Sequence, residues 1–322
     1  MIATLFSFGV GLLVLLASSH AFLHLSKQVA ARWKFSPLFV SLVIVALGTN
    51  LPELTVTIAA IARNDSGLAI GNLLGSSIAN ITLILGLATL FGSVRIGTTK
   101  TPKNAALLLA ATLVFCGLLI SNISAFLSAV ILVAILGLGL TYQYILAKNG
   151  RLHEDKKLLK LLDTFEKKQK KLPASLFILA LFASIAGLGV GGYVSVQAVS
   201  RLAELLGLTT TFLGFTLTAI STSLPELLTV LLASNAKDAK VVFGTLIGSN
   251  LFNATLFPAI IMVYQGMPYV DLHSMGALVV CTVILAAIVN FHQGESVPKS
   301  VSVGLIILYC AITLFTYQAI SS

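Results

Sequence analysis

Charge is what this 322-residue sequence has least of: only 10% of its residues are charged, where a soluble domain carries about a quarter. Mean hydropathy is +1.01 and 57% of residues are hydrophobic. A water-soluble fold is excluded. Period-2 alternation of apolar and polar residues is also missing, which argues against a membrane β-barrel and for helices. Cys116, Cys281 and Cys310 stand singly in apolar runs without CxxC spacing, so they read as small core hydrophobes. His20, His24, His153, His273 and His292 fall in loops or near the ends of apolar runs, and no HExxH occurs. No Ser/His dyad or zinc motif lies at membrane depth, so an intramembrane hydrolase is disfavoured. The opening Met1-Ile-Ala-Thr lacks a basic segment, and the apolar run behind it has no clear small-residue cleavage site; it is expected to be the first span.

What the sequence has in abundance is apolar runs of about 20 residues, the length of a membrane-crossing helix. They fall near 3–25, 36–62, 66–92, 104–121, 123–147, 174–200, 207–235, 239–265, 272–291 and 299–319. The expectation is an all-α integral membrane protein of ten transmembrane helices. The one long polar stretch divides the chain into a first five-helix repeat at 1–147, a basic linker at 148–173 and a second repeat at 174–322. Residues 48–84 align without a gap to 221–257 at a constant offset of 173, with 14 of the 37 positions identical. The identities include Thr49/Thr222, Pro52/Pro225, Glu53/Glu226, Asp65/Asp238, Gly75/Gly248, Ser76/Ser249 and Asn80/Asn253, which a shared apolar bias does not explain. An odd number of crossings per repeat reverses the second relative to the first, the inverted-repeat plan of many secondary transporters.

The net charge of +9 belongs to topology rather than to nucleic acid. If the 148–173 loop is cytoplasmic, 18 of the 20 Lys and Arg residues fall on that side, only Arg63 and Arg201 do not, and both termini are extracytoplasmic. The linker's leucines, interleaved with lysines, fit either a short amphipathic helix on an anionic leaflet or a solvated connector.

Glu53 and Glu226 are the acidic residues that sit well inside apolar runs. An ionisable group at that depth costs about 2.5 kcal/mol or more on insertion scales and marks a functional site by default. No Lys or Arg occupies the centre of any span to neutralise them. Each follows a proline, which removes one helical amide and frees carbonyls around Gly48, Thr49, Ser221 and Thr222 as possible ligands in a discontinuous helix. Downstream, Gly75 and Gly248 allow close helix packing, while Ser76/Asn80 and Ser249/Asn253 lie four apart on one helical face. Two carboxylates, hydroxyls, carboxamides and freed carbonyls make an all-oxygen environment suited to a hard cation such as calcium, whose two charges the glutamates balance.

These residues resemble the sodium/calcium exchanger branch of the cation/calcium exchanger superfamily. Gly48-Thr-Asn-Leu-Pro-Glu53 with Gly71 to Asn80, and Ser221-Thr-Ser-Leu-Pro-Glu226 with Gly244 to Asn253, look like its two alpha repeats. The resemblance implies a multi-pass cell-membrane antiporter that exchanges sodium for calcium by alternating access, with spans 1 and 6 sliding against the rest. It is not an enzyme, needs no cofactor, and has sodium, calcium and the bilayer as its partners, with no nucleic acid and no obligate protein partner. It further implies calcium on Glu53 and Glu226, and sodium on the same cluster with help from Thr49, Asn50, Ser76, Asn80, Thr222, Ser223, Ser249 and Asn253. The chain departs from the family pattern at Asn50, Ser221, Thr245 and Ser77, and carries Asn253 where the potassium-dependent branch has aspartate. Proton-coupled exchange of calcium or another divalent cation on the same fold is the alternative. A passive cation channel is the other.

Overall fold

A segment in lipid must satisfy its backbone hydrogen bonds internally, and the chain does so with helices almost throughout. The computed structural model describes residues 1–32, 46–92, 94–97, 100–148, 174–235 and 239–321. The helices are α1 (Ile2–Arg32), α2a (Ala46–Thr49), α2b (Leu51–Ala62), α3 (Ser66–Phe91), α4 (Lys100–Ile120), α5 (Ala125–Lys148) and α6 (Ala174–Leu206). They continue with α7a (Thr210–Thr222), α7b (Leu224–Asn235), α8a (Ala239–Ala254), α8b (Leu256–Gln265), α9 (Leu272–Phe291) and α10 (Lys299–Ser321). Among the described residues, eight helical segments are long and apolar enough to cross a membrane, and α7a with α7b, bent by 46°, makes a ninth. The span expected at 36–62 is described only from residue 46, and the linker expected at 148–173 lies outside the described residues beyond Lys148.

Burial sorts the helices into inner and outer ones. In the most apolar stretch of α3, 83% of residues are buried, and in α8 78%, against 22% in α1 and in α10. The outward faces carry large apolar side chains such as Phe6, Phe126, Phe182 and Phe315, as a lipid-facing surface requires. Helix α3 lies against α7a through a stripe of small residues. A Cβ on Gly71 would collide with the Thr211 carbonyl, and one on Gly75 with the Phe215 carbonyl, so the two backbones touch where only glycine fits. In the other direction, a Cβ on Gly214 would lie 2.8 Å from the Leu68 carbonyl.

The most extensive pairing joins α1 to α6. Their backbones also meet at glycines: a Cβ on Gly191 would lie 2.5 Å from the Leu15 nitrogen, and one on Gly11 2.8 Å from the Ser195 nitrogen. Loops are tied by backbone bonds and caps. Ile96 N–H donates to the Glu295 carbonyl and Gly294 N–H to that of Ile96, each at 2.9 Å, joining the α3–α4 and α9–α10 connections. Asp65 caps α3 through Leu68 N–H and accepts the Thr210 hydroxyl, both at 2.9 Å, while Asp271 caps α9 through Ser274 N–H at 2.8 Å. These two carboxylates thus serve helix ends, in contrast to the pair at depth.

Candidate cation site

The two helices that carry Glu53 and Glu226 break at the same place in the repeat. Asn50 (φ −89°, ψ 8°) separates α2a from α2b, and Ser223 (φ −85°, ψ 9°), 173 residues later, separates α7a from α7b. Pro52 and Pro225 stand at the second position of the new helices, where a missing N–H costs nothing. Glu53 and Glu226 occupy the first turns of α2b and α7b. There the positive end of the helix dipole favours their negative charge, while the carbonyl ends of α2a and α7a approach from the other side. One freed carbonyl is already engaged: Gly48 C=O accepts the Ser19 hydroxyl of α1 at 3.3 Å.

The side chains cross between the repeats. Ser223, from the second repeat, donates to Glu53 Oε1 at 3.0 Å, and the Thr222 hydroxyl also reaches that carboxylate. Reciprocally, Thr49 of the first repeat bonds the Glu226 carboxylate, which also accepts the Ser249 hydroxyl of α8a at 3.3 Å. Asn50 Nδ2 reaches Thr49 Oγ1 at 3.4 Å. Glu53 and Glu226 are 1% and 0% exposed, close enough to repel each other, and among the described residues neither forms an ion pair.

Helices α3 and α8a supply the remaining walls. Asn72, Ser76 and Asn80 succeed one another at intervals of four along α3 and are all buried. Thr222 donates to Asn72 Oδ1 at 3.2 Å, and Asn80 Nδ2 donates to Asn250 Oδ1 at 3.1 Å. Both helices then lose α-geometry just past the asparagine: α3 makes a π turn over Asn80–Ile84, and α8 breaks at Thr255 (φ −131°, ψ −71°), the repeat partner of Thr82. Such interruptions recur at functional sites.

Of the ten residues expected from the sequence, eight take part in the hydrogen bonds described above and two do not. One set of hydrogen bonds joins Thr222 and Ser223 to Glu53, a second joins Ser249 and Thr49, with Asn50 behind it, to Glu226, and Asn80 spans from α3 to α8a. Ser76 and Asn253 are buried on the same helices with no hydrogen bond to either carboxylate. Asn72 and Asn250 were not among the expected site residues. Asn72 stands four residues before Ser76, on the face already singled out, but its repeat partner is Thr245, and that of Asn250 is Ser77. Identity between repeats therefore overlooks both.

Five buried oxygens on α2b, α3, α7b and α8a have no partner among the described residues: Glu53 Oε2, Glu226 Oε2, Ser76 Oγ, Asn80 Oδ1 and Asn253 Oδ1. Orphaned acceptors at this depth are costly, and a bound cation is one species that can satisfy oxygen lone pairs and two like charges together. Among the described residues no group of three or more His, Cys, Asp or Glu side chains gathers anywhere.

The family profile of the sodium/calcium exchanger proteins matches residues 3–145 and 176–318. The chain belongs to the sodium/calcium exchanger protein family. Among curated relatives of this exchanger-family chain is an uncharacterized membrane protein of Methanocaldococcus jannaschii, 27% identical over 287 residues, 89% of this chain and 90% of the relative. The sodium/calcium exchanger MaX1 of Methanosarcina acetivorans is 25% identical over 278 residues, 77% of this chain and 79% of that one. Among solved structures, the sodium-calcium exchanger NCX_Mj, soaked with Na+ and Sr2+, superposes with a TM-score of 0.64 at 25% identity, covering 96% of this chain and 97% of that one. The exchanger fold, with its two repeats and discontinuous helices, is thus shared over nearly the whole length.

Proposed function

We propose that this exchanger-family protein is a secondary active antiporter that moves calcium against sodium through the Glu53/Glu226 cluster. The observation that carries the reading is a pair of fully buried carboxylates, each hydrogen-bonded by a hydroxyl of the opposite repeat and neither paired with a basic side chain among the described residues. Two such charges are tolerable in low dielectric when a divalent ion, or several monovalent ones, shares the site. Calcium bridges the two carboxylates. Sodium ions take the same oxygens together with Ser76, Asn80, Ser249 and Asn253, so either cargo displaces the other and countertransport follows. NCX_Mj, soaked with sodium and with calcium or strontium, is consistent with that assignment of cargo.

Alternating access is assigned to α1 and α6 moving as one body across the faces of α2a, α2b and α7a. The close glycine contacts between α1 and α6 support this. The distribution of Lys and Arg supports cytoplasmic placement of the 148–173 linker and extracytoplasmic termini in a cell membrane, with the repeats at 1–147 and 174–322 in opposite orientations.

Purified protein in sodium-loaded liposomes tests the reading. Calcium uptake is expected to depend on an outward sodium gradient and to be indifferent to potassium or pH gradients. Uptake driven by a pH gradient alone establishes the proton-coupled alternative instead, and currents without countertransport establish a channel. Glu53→Ala and Glu226→Ala are each expected to reduce exchange to the background of empty liposomes. Full activity in both variants overturns the site.

A further inference from the structure

The geometry points to Asn250 as a positioning residue that locks the Asn80 carboxamide with its oxygen turned into the cation site, through a one-way relay anchored on the Ser77 carbonyl. The inference rests on the function proposed above.

A carboxamide is ambiguous as a cation ligand, because its oxygen attracts the ion and its NH2 repels it, and the two ends have nearly the same shape. Something must decide which end faces the ion. Asn250 Nδ2 lies 3.4 Å from the backbone carbonyl oxygen of Ser77, and Asn80 Nδ2 lies 3.1 Å from Asn250 Oδ1. A carbonyl oxygen only accepts, so the end of Asn250 that faces Ser77 is the NH2. That leaves Asn250 Oδ1 as the end facing Asn80, and an oxygen there requires the NH2 of Asn80. The Asn80 oxygen is then the end left over. It is buried and is the one polar atom of that side chain without a partner. The direction of every bond in the chain is thus set by a backbone group that cannot reverse.

The second repeat lacks the device. The repeat partner of Asn80 is Asn253, and both polar atoms of the Asn253 side chain are buried without a partner. The position equivalent to Asn250 is Ser77, which serves the relay by its main chain and carries no amide. One asparagine of the pseudo-symmetric pair is therefore preset as an oxygen ligand, and the other is left to orient on whatever ion enters. Presetting a ligand lowers the reorganisation that binding requires, and residues that hold ligands in this way typically influence affinity ten- to a hundred-fold.

The experiment is a double-variant cycle read by calcium binding to purified protein in sodium-free buffer and by initial rates of exchange. Asn250→Ala, and separately Asn250→Ser as the milder change, are expected to raise the half-saturating calcium about ten-fold while leaving the maximal rate within about two-fold. An aspartate is the same at both ends, so orientation ceases to matter in an Asn80→Asp background. There the same changes at Asn250 are expected to shift half-saturation by less than about two-fold. An equal loss in both backgrounds assigns Asn250 a packing role and overturns the relay, as does an unchanged affinity in the otherwise native protein. Should Asn250→Ala fail to yield monodisperse protein, Asn250→Ser carries the comparison. Native protein that binds neither calcium nor sodium overturns the cation site itself, a different result from native binding that the Asn250 variants leave intact.

Discussion

At the scale of single residues, the candidate site poses the problem of satisfying two carboxylates that have no ion pair among the described residues. Hydroxyl donors perform part of that work, and each carboxylate draws them from the opposite repeat: Ser223 for Glu53, Thr49 for Glu226. A hydrogen bond to a charged group contributes about 1.5–3 kcal/mol. Ser223→Ala is therefore expected to raise the half-saturating calcium roughly ten-fold in a flux assay, without abolishing exchange. Ser249→Ala, whose bond to Glu226 is longer at 3.3 Å, is expected to cost less. The reverse ranking would sink the view that Ser223 is the stronger donor. Glu53, Glu226 and the flanking hydroxyls were legible from sequence because charge in an apolar run is conspicuous. Asn72 and Asn250 were not, because an asparagine in a helix carries no charge and neither is matched across the repeats.

At the scale of elements, proline stands just past three helix breaks and glycine at two close crossings. The breaks at Asn50 and Ser223 follow from Pro52 and Pro225 and were expected from their positions. The π turn at Asn80–Ile84 carries no proline signal, since the chain there reads as continuous apolar helix, whereas the break at Thr255 stands three residues before Pro258, which has no N–H to give the Ala254 carbonyl. The α3–α7a crossing makes a sharp prediction about glycine. Gly75→Ala places a methyl group against the backbone carbonyl of Phe215, which cannot rotate away, so the helices must separate. A loss of about 1–3 kcal/mol is expected for such overpacking, visible as a lower unfolding temperature in detergent. Gly276→Ala, on the exposed face of α9 with no atom near its Cβ, is expected to be neutral or slightly stabilising. Equal effects at the two positions would remove the case for a tight α3–α7a contact.

At the scale of the whole molecule, the α1/α6 pair against the other helices is the candidate moving interface, and cross-links separate motion within it from motion across it. A Cβ on Gly187 would lie 3.1 Å from Ser18 Cβ, within the α1/α6 pair, and one on Gly192 would lie 2.5 Å from Thr55 Cγ2, between α6 and α2b. In a background with Cys116, Cys281 and Cys310 replaced, oxidising a cysteine pair at positions 18 and 187 is expected to leave calcium exchange largely intact. Oxidising a pair at positions 55 and 192 is expected to arrest it, with recovery on reduction. If both pairs arrest exchange, or neither does, α1 and α6 do not travel together across α2b.

The sequence by itself determined that the chain lives in lipid, that it is built of two related halves, and that a glutamate in each half sits where charge is expensive. Each of these is a local property: composition, a repeat at fixed offset, a proline beside an acid. Tertiary structure decided what reaches across. Only in the folded chain does Ser223 meet Glu53 at 3.0 Å and Asn80 meet Asn250 at 3.1 Å, over 170 residues of sequence. The physical reason is that a hydrogen bond is directional and short-ranged. Which oxygen of a buried side chain is satisfied and which is left for an ion depends on neighbours that only close helix packing, through Gly71 and Gly75, brings within reach.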